Sequence, residues 1–280
     1  MKVAVMTDST AYISKDLRDK NNIHMVPLSV VFGDHSYQEE LDIATEEFYE
    51  KVKLSDSLPK TSQPSIGYIT NKLEELAKEY DAVISIHLSS GISGTYQAVI
   101  TAGNMVEGIT VYPFDSEISA MAQGFYVLEA AEMIRTNKTP EEVIERLNEM
   151  KQSMRAYFMV DDLKNLQRGG RLNSAQAIVG SLLQVKPVLH FSNKVIVPFE
   201  KIRTRKKALN RIISLLEEDI EQKKDVKVVF IHANCEQAAL DLQHQVKEKH
   251  PNLDSMIGYF GPVIGTHLGE GSIGVGWYAK

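Results

Sequence analysis

A loop rich in serine, threonine and glycine at residues 89–96 could bind an anion. It reads Ser-Ser-Gly-Ile-Ser-Gly-Thr-Tyr and lies between an apolar run that ends at Ile86 and a helical pattern that follows it. Glycines let backbone N–H groups approach a ligand, hydroxyls add donors, and the dipole of the following helix favours negative charge. A carboxylate or a phosphate is therefore the expected ligand, although the same hydroxyls could also simply cap the helix.

Two further clusters of hydroxyl groups and glycines predict loops of similar character. Residues 61–65 read Thr-Ser-Gln-Pro-Ser, and residues 265–271 read Gly-Thr-His-Leu-Gly-Glu-Gly. The last serine of the first cluster is well placed to cap an amphipathic helix, which leaves the Thr61 and Ser62 hydroxyls available for a ligand or for solvent. His267 lies in the second cluster, where its imidazole could donate to an anion or serve a purely structural purpose.

The serine-rich loop does not match two familiar patterns. The Gly-x-x-x-x-Gly-Lys-Ser/Thr phosphate loop is absent, and Gly94 directly follows Ser93, which breaks the Gly-x-Ser-x-Gly spacing of a nucleophile elbow. A triad of Ser93, His267 and Asp8 could still be assembled in space, because triads are defined by geometry; a serine hydrolase of acyl esters is therefore the alternative function. No histidines have a metal-ligand spacing such as His-Glu-x-x-His, so we predict no metal site.

A basic stretch is a candidate docking surface on an otherwise acidic chain. It comprises Lys201, Arg203, Arg205, Lys206, Lys207 and Arg211. Because it begins a predicted helix, where positive charge gains nothing from the dipole, docking is one interpretation and a solvated helix face is the other. The segment 168–172, Arg-Gly-Gly-Arg-Leu, adds two arginines beside a flexible turn.

An α/β fold must position these residues, because short runs rich in valine and isoleucine alternate with longer helical patterns. In the first half the pattern predicts strands at 2–7, 24–32, 82–86 and 109–114, and helices at 14–20, 45–54, 65–79, 94–106 and 117–151, the last broken at Thr139-Pro140. This alternation predicts a parallel sheet with covering helices. Asp-Ser follows two of the strands, at Asp8-Ser9 and Asp115-Ser116, which places hydroxyls at the edge where such sheets bind ligands.

The second half predicts antiparallel elements. Its strands are expected at 155–160, 185–191, 194–199, 226–232, 254–260 and 272–278, and its helices before 168–170, near 174–183, at 204–222 and at 235–248. The runs 185–191 and 194–199 predict a hairpin with Ser192-Asn193 as its turn. We therefore expect two α/β domains, residues 1–153 with a mostly parallel sheet and residues 154–280 with antiparallel strands.

Composition narrows the classes of function. The chain has 280 residues, 43% of them hydrophobic, and a net charge of −6. The excess of acidic over basic residues argues against nucleic-acid binding. A DNA-associated regulator is therefore only a third interpretation of the sequence. A single cysteine favours a reducing compartment, and the cytoplasm is the expected location. No stretch resembles a signal peptide or a membrane span, so at most a transient contact with a membrane surface is expected.

Five ordered motifs together resemble the DegV family of bacterial fatty-acid-binding proteins. They are Asp8-Ser9-Thr10, the cluster 61–65, the segment 88–97, the segment 168–172 (Arg-Gly-Gly-Arg-Leu) taken together with Lys186-Pro187 that follows it, and Gly265-Thr266-His267-x-Gly. The resemblance runs from the first strand to the last. It departs from the family at Glu270, where proline is frequent, and at Ala98, where serine is frequent.

The resemblance implies two α/β domains with one long-chain fatty acid buried in a tunnel between them. It implies that the carboxylate is held by hydroxyls matching Thr61 and Ser93 and by the histidine matching His267, and we include their neighbours Ser62, Gly94 and Thr95 as candidate ligand-binding residues. It implies no cofactor. Ile178 and Leu182, in an apolar segment at 177–183, are candidates for the tunnel lining, although plain core packing would explain them equally well.

The resemblance also implies a partner and a non-catalytic role. In the fatty acid kinase system, the lipid-binding subunit presents the carboxylate to a separate ATP-dependent kinase and carries the acyl phosphate toward phospholipid synthesis. By this analogy Arg171 and one or both of Arg203 and Arg205 dock the partner. The chain is expected to be a carrier and not an enzyme.

Overall fold

The first half of the chain forms a four-stranded parallel sheet. The computed structural model describes residues 1–55, 57–172, 186–223 and 225–280. The sheet has the order β2-β1-β6-β7, with bounds Ile23–Val26 (β2), Val3–Asp8 (β1), Ala82–His87 (β6) and Thr110–Asp115 (β7). Five of the six residues of β1 and all six of β6 are buried, which is typical of parallel strands covered on both faces. The loops after β1, β6 and β7 meet at one edge.

The predicted strand at 24–32 is wrong, because the structure divides it. Pro27 and Leu28 separate β2 from Ser29–Phe32 (β3), and a proline removes the N–H that a continuous strand would need. Strand β3 lies at the centre of a separate three-stranded antiparallel sheet, between His35–Gln38 (β4) and Lys60–Ser62 (β5). Thr61 and Ser62 are therefore strand residues and not loop residues. A strand of three residues is too short to produce a periodic signal.

Helices cover the parallel sheet as predicted. Their bounds are Lys15–Lys20 (α1), Thr45–Leu54 (α2), Ile66–Leu76 (α3), Thr95–Gly103 (α4), Ala120–Arg135 (α5) and Pro140–Ser153 (α6). Ser65 caps α3 by accepting from the Tyr68 N–H at 3.1 Å, and Thr139 starts α6 with a capping box, so both predicted helix starts are confirmed. Helix α5 contacts strands of both sheets and supplies much of the core between them.

The second half forms a six-stranded sheet with the order β10-β9-β8-β13-β11-β12. Its strands are Arg155–Met159 (β8), Val188–Ser192 (β9), Val195–Glu200 (β10), Val226–His232 (β11), Asp254–Tyr259 (β12) and Ile273–Ala279 (β13). Only the β11–β12 pair is parallel, so the predicted mixed α/β class is confirmed. The accompanying helices are Lys164–Arg168 (α7), Arg205–Lys223 (α8), Glu236–Lys249 (α9) and Pro262–Leu268 (α10).

Helix α10 corrects the prediction that residues 265–271 form a loop. Pro262 opens the helix, where its missing N–H costs nothing, and Gly269, at φ 81°, ends it. His267 is therefore presented by a helix. The glycines of this segment hid the helical pattern from the sequence because glycine disfavours helices.

The predicted hairpin is confirmed, but its turn is not the predicted one. Val195 pairs with Ser192, so the turn is Asn193-Lys194, and both residues have positive φ, at 48° and 71°. A two-residue turn of this kind matches the right-handed twist of the strands. The Ser89 hydroxyl donates to the Lys194 carbonyl at 2.6 Å, and a Cβ on Gly91 would lie 2.4 Å from that oxygen. The hairpin tip therefore rests directly on the serine-rich loop.

One hydrophobic core spans both halves of the chain. The largest cluster of buried residues includes Ile84 and Ile86 of the parallel sheet together with Phe158 and Val229 of the six-stranded sheet.

A domain boundary at 153/154 remains a prediction. The predicted helix near 174–183 lies outside the described residues. Among the helices that the structure describes, none is long and apolar enough to cross a membrane.

Candidate functional site

A cavity of about 300 Å³ lies between the parallel sheet and the six-stranded sheet. One end is polar and is lined by Thr61, Ser62, Gln63, Ser93, Gly94, Arg171 and His267. The rest is largely apolar, with walls that include Leu28, Leu88, Ile92, Ala120, Ala122, Ala156, Phe158, Phe191, Ile196, Ile231, Phe260, Val263, Ile264 and Leu268. A lining that is polar at one end and apolar elsewhere fits an amphipathic ligand with a polar head and an apolar tail.

Three elements bring the polar side chains of the head end together. Strand β5 supplies Thr61, the loop before α4 supplies Ser93, and α10 supplies His267. Thr61 Oγ1 lies 2.8 Å from His267 Nε2, although 206 residues separate them in the chain. Ser93 Oγ lies 2.9 Å from Thr95 Oγ1 and accepts from the Thr95 N–H at 3.3 Å. Thr95 is fully buried and lies outside the cavity lining, where its hydroxyl contacts Ser93; its predicted role in binding the carboxylate stays a prediction.

With Nε2 of His267 and the Thr95 hydroxyl as the donors, these contacts leave two hydroxyl protons free to point into the cavity. When His267 Nε2 carries its proton, it donates to Thr61 Oγ1, and the Thr61 hydroxyl is then free to donate to a ligand. When the Thr95 hydroxyl donates to Ser93 Oγ, the Ser93 hydroxyl is released in the same way. The arrangement is a pair of oriented neutral donors, which suits a carboxylate acceptor.

His267 is held neutral by its surroundings. It is 9% exposed, and burial lowers the pKa of its imidazole to about 4, with the nearby Arg171 charge acting in the same direction. Nδ1 has no hydrogen-bond partner in the described part of the chain, and it faces the backbone of Gly169, where a Cβ would lie 2.3 Å away. A neutral imidazole fixes the Thr61 hydroxyl without adding a charge to the head end.

We expect the ligand-free protein to lose about 3 kcal/mol of stability between pH 6.5 and pH 4 relative to a His267→Asn variant. Because the folded-state pKa lies below the unfolded one, the unfolded chain binds the proton first. The stability contribution is complete above pH 6.5 and is lost as the pH falls toward 4. Urea unfolding of both proteins across this range measures the difference. Parallel pH profiles would show that the imidazole is not held neutral.

The predicted partner-docking arginines occupy three different environments. Arg171 is half-buried in the cavity wall, where its Nε donates to the Ile92 carbonyl at 3.2 Å. Arg205 begins α8 and donates to the Gly271 carbonyl at 2.7 Å and to Asp161 at 3.1 Å, which ties down the turn after α10. Arg203 is exposed just before α8. Their docking role remains a prediction, and the tunnel candidates Ile178 and Leu182 lie outside the described residues.

The triad considered from the sequence is not formed. Ser93 and His267 have the separate hydroxyl partners described above, and Asp8 Oδ2 lies 3.0 Å from His87 Nδ1. His87 in turn lies 2.6 Å from the Ser85 hydroxyl. All three residues of this inner Ser-His-Asp chain are fully buried and none lines the cavity. Their geometry therefore fits a structural network at the ends of β1 and β6.

Glu39 is a buried carboxyl that the sequence reasoning missed. Its oxygens accept from the Ser9 hydroxyl at 2.5 Å, the Tyr12 hydroxyl at 2.9 Å and the Val263 N–H at 2.7 Å. Burial raises its pKa to about 8, against the opposing effect of these three hydrogen bonds. Val263 lies in the first turn of α10, so Glu39 anchors the helix that ends with His267. No local pattern marks Glu39, because its helix partner lies 224 residues away.

Glu270, where the chain departs from the family motif, does not join the head end. Its carboxylate accepts from the Asn234 amide at 2.6 Å and lies 3.2 Å from Lys53 Nζ. It therefore braces the turn after α10 from outside.

The described residues contain no group of three or more His, Cys, Asp or Glu side chains that could hold a metal ion.

The fold and the cavity together define an α/β protein with an amphipathic pocket between its two larger sheets. A model of the DegV family, described as "Uncharacterised protein, DegV family", matches residues 2–280, and the chain belongs to this family. It is 57% identical to Protein DegV of Bacillus subtilis over the full length of both. The predicted family resemblance is thereby confirmed.

Solved structures of relatives share the whole architecture. The crystal structure of DegV, a fatty acid binding protein from Bacillus subtilis, matches with a TM-score of 0.96 at 57% identity and covers 100% of both chains. A fatty-acid-binding DegV family protein from Thermus thermophilus matches with a TM-score of 0.92 at 30% identity, again over 100% of both. A stearic acid-binding protein from Eubacterium ventriosum matches with a TM-score of 0.89 at 25% identity, over 99% of this chain and 98% of that one. Fatty acid binding is thus a property of several DegV family members.

Proposed function

We propose that this chain binds one long-chain fatty acid in its central cavity and presents the carboxylate to a separate ATP-dependent kinase. The observation that carries the proposal is the cavity itself, with two oriented hydroxyls at one end and apolar walls along the rest. Two relatives that match this chain over its full length are described as binding fatty acids, which supports the same assignment. In this proposal Thr61, Ser93 and His267 form the head-group site, and Ser62 and Gly94 complete its wall.

Burial of the acyl chain supplies the affinity. Each buried methylene contributes about 0.8 kcal/mol, so a sixteen-carbon chain gains roughly 12 kcal/mol before the costs of association. The head group then needs orientation more than attraction. Hydroxyl donors and a neutral imidazole orient a carboxylate without forming a direct ion pair with it, which leaves its oxygens nucleophilic.

The kinase catalyses the phosphoryl transfer, and the acyl group stays bound to the carrier. A carboxylate oxygen attacks the γ-phosphorus of ATP, the bond from that phosphorus to the β,γ-bridging oxygen breaks, and ADP leaves. The carboxylate enters without a proton, so the site needs no general base. The carrier then delivers the acyl phosphate toward phospholipid synthesis. Cytoplasmic location and docking through Arg171, Arg203 and Arg205 are part of this proposal.

Native mass spectrometry of the purified protein, followed by extraction of the lipid, tests the carrier function. We expect one fatty acid per chain and no turnover of activated acyl esters. Ester hydrolysis with covalent labelling at Ser93 would instead establish the hydrolase alternative. A protein that is purified without bound lipid and that binds no added fatty acid would overturn the proposal.

The double variant Thr61→Ala/Ser93→Ala tests the head-group site. Removing both hydroxyl donors is expected to lower phosphorylation by a fatty acid kinase with ATP by at least about tenfold, because each hydrogen bond to a charged group is worth about 1.5–3 kcal/mol. Acyl-chain burial should retain part of the lipid affinity. Thr70→Ala/Ser214→Ala, which removes two hydroxyls outside the cavity lining, is the matched control. Unchanged phosphorylation in the first variant would move the carboxylate elsewhere.

A further inference from the structure

A second cavity of about 670 Å³ opens to solvent on the outer side of the head-group site. We call it the outer vestibule; it is bounded by Ser55, the segment 57–61, helix α7 with the turn after it, and the end of α10. Thr61, Arg171 and His267 line both this vestibule and the fatty acid cavity. The two spaces are therefore neighbours that share one wall.

The described lining of the outer vestibule is cationic. Lys60, Arg168 and Arg171 line it, and no acidic side chain of the described residues does. Within the described part of the chain Lys60 and Arg168 form no ion pair, and Arg171 donates only to the carbonyls of Ile92 and Gly169. Burial lowers the pKa of the Arg171 guanidinium, as expected for a charge held in a wall without a carboxylate beside it. Three cations are thus available to an anionic ligand.

His267 forms the wall that the two cavities share. His267 is nine-tenths buried between the two cavities, and its Nδ1 has no partner among the described residues. When Nε2 donates to Thr61, Nδ1 carries no proton and faces the Gly169 backbone, so His267 adds no positive charge to the wall and the attraction for an anion comes from the three cations. Asn165 and Thr266 add further polar groups to the same vestibule.

We propose that the outer vestibule is a phosphoryl-binding site, which holds the phosphate of the acyl phosphate while its acyl chain remains in the inner cavity. This inference rests on the proposed carrier function. A phosphoryl group attached to a carboxylate oxygen at Thr61 and Ser93 extends one bond beyond the head-group site, and the vestibule is the polar space adjoining it. Lys60, Arg168 and Arg171 would offset its two negative charges, since charge-assisted hydrogen bonds to phosphate favour lysine and arginine.

A stable analogue tests the site without a kinase. In the β-ketophosphonate of palmitic acid, a methylene group replaces the bridging oxygen of palmitoyl phosphate, so it cannot transfer its phosphoryl group. We expect Lys60→Gln/Arg168→Gln to weaken its binding by about tenfold while palmitate binding changes by less than about twofold. Lys20→Gln/Lys78→Gln, which removes two exposed lysines outside the vestibule, is the matched control and should leave both affinities unchanged.

The possible outcomes separate this inference from the carrier function. Equal effects of the vestibule variant on palmitate and on the ketophosphonate would overturn the phosphoryl site and leave the carrier function standing. Failure of the unmodified protein to bind palmitate would overturn both. A parallel titration with ATP identifies the source of the phosphate, because an effect confined to ATP would assign the vestibule to the donor nucleotide and overturn the acyl phosphate assignment.

Discussion

Replacement of Glu39 by alanine is expected to lower the free energy of unfolding by about 4 kcal/mol and to weaken fatty acid binding severely. Glu39 is completely buried and accepts three hydrogen bonds. Without it, the Ser9 and Tyr12 hydroxyl protons and the Val263 N–H would have no acceptor, and the two hydroxyls would keep only the bonds that they accept from the Leu28 and Ile264 N–H groups. Since Val263 lies in the first turn of α10, the loss would also weaken the anchoring of the helix that positions His267. Denaturant unfolding and a palmitate titration measure the two effects.

Glu39→Gln separates the role of the hydrogen bonds from that of the charge. Glutamine keeps an acceptor for Tyr12 and Val263, so we expect a much smaller loss than for alanine. Because the pKa of Glu39 in the folded protein, about 8, lies above its usual value of 4.5, its contribution to stability is complete below pH 4.5 and is lost as the pH rises toward 8. The wild type should therefore lose stability over this range relative to Glu39→Gln.

Exposed Glu74 provides the matched control for this pair, and Glu74→Ala is expected to change stability by less than about 0.5 kcal/mol. If Glu39→Ala unfolds at the same denaturant concentration as Glu74→Ala, the buried network does not anchor α10. If Glu39→Gln is as unstable as Glu39→Ala at every pH, the carboxyl acts through more than its hydrogen bonds.

Ala156→Leu is expected to shift the bound fatty acid to a shorter chain and to weaken palmitate binding by roughly thirtyfold. Ala156 lines the cavity, and in the sheet register it lies opposite Gly276, so this part of the cavity floor has almost no side-chain volume. A leucine would occupy the space of two or three ligand methylenes, each worth about 0.8 kcal/mol when buried. Mass spectrometry of the extracted lipid measures chain length directly.

Ala44→Leu, at an exposed alanine just before α2, controls for the added hydrophobic surface. It should leave the lipid profile and the palmitate affinity unchanged. The unfolding temperatures of both variants must be compared first, because overpacking alone typically costs about 1–3 kcal/mol. A stable Ala156→Leu protein that retains the original lipid profile would show that the acyl chain does not pass over this part of the sheet.

Local chemistry determined most of the secondary structure. The runs containing valine and isoleucine that became β1, β6 and β11 were recognisable because buried parallel strands are rich in apolar, β-branched residues. Ser65 and Thr139 were recognisable as helix starts because capping depends on a few adjacent residues. The failures occurred where local preference was weak or tertiary contacts overrode it, as in the divided strand at Pro27 and the glycine-containing helix around His267.

The chain order of the motifs was sufficient to identify the DegV family, and the hydroxyl-rich clusters were sufficient to nominate a polar site. Only the tertiary structure showed that Thr61 lies on a strand, that it pairs with His267, and that Thr95 lies behind Ser93 and outside the cavity. Only it revealed Glu39 as the anchor of α10 and a cationic vestibule beyond the head group. The physical reason is range: side-chain propensities and caps act over a few residues, whereas cavities and buried hydrogen bonds join residues that the sequence separates by up to 224 positions.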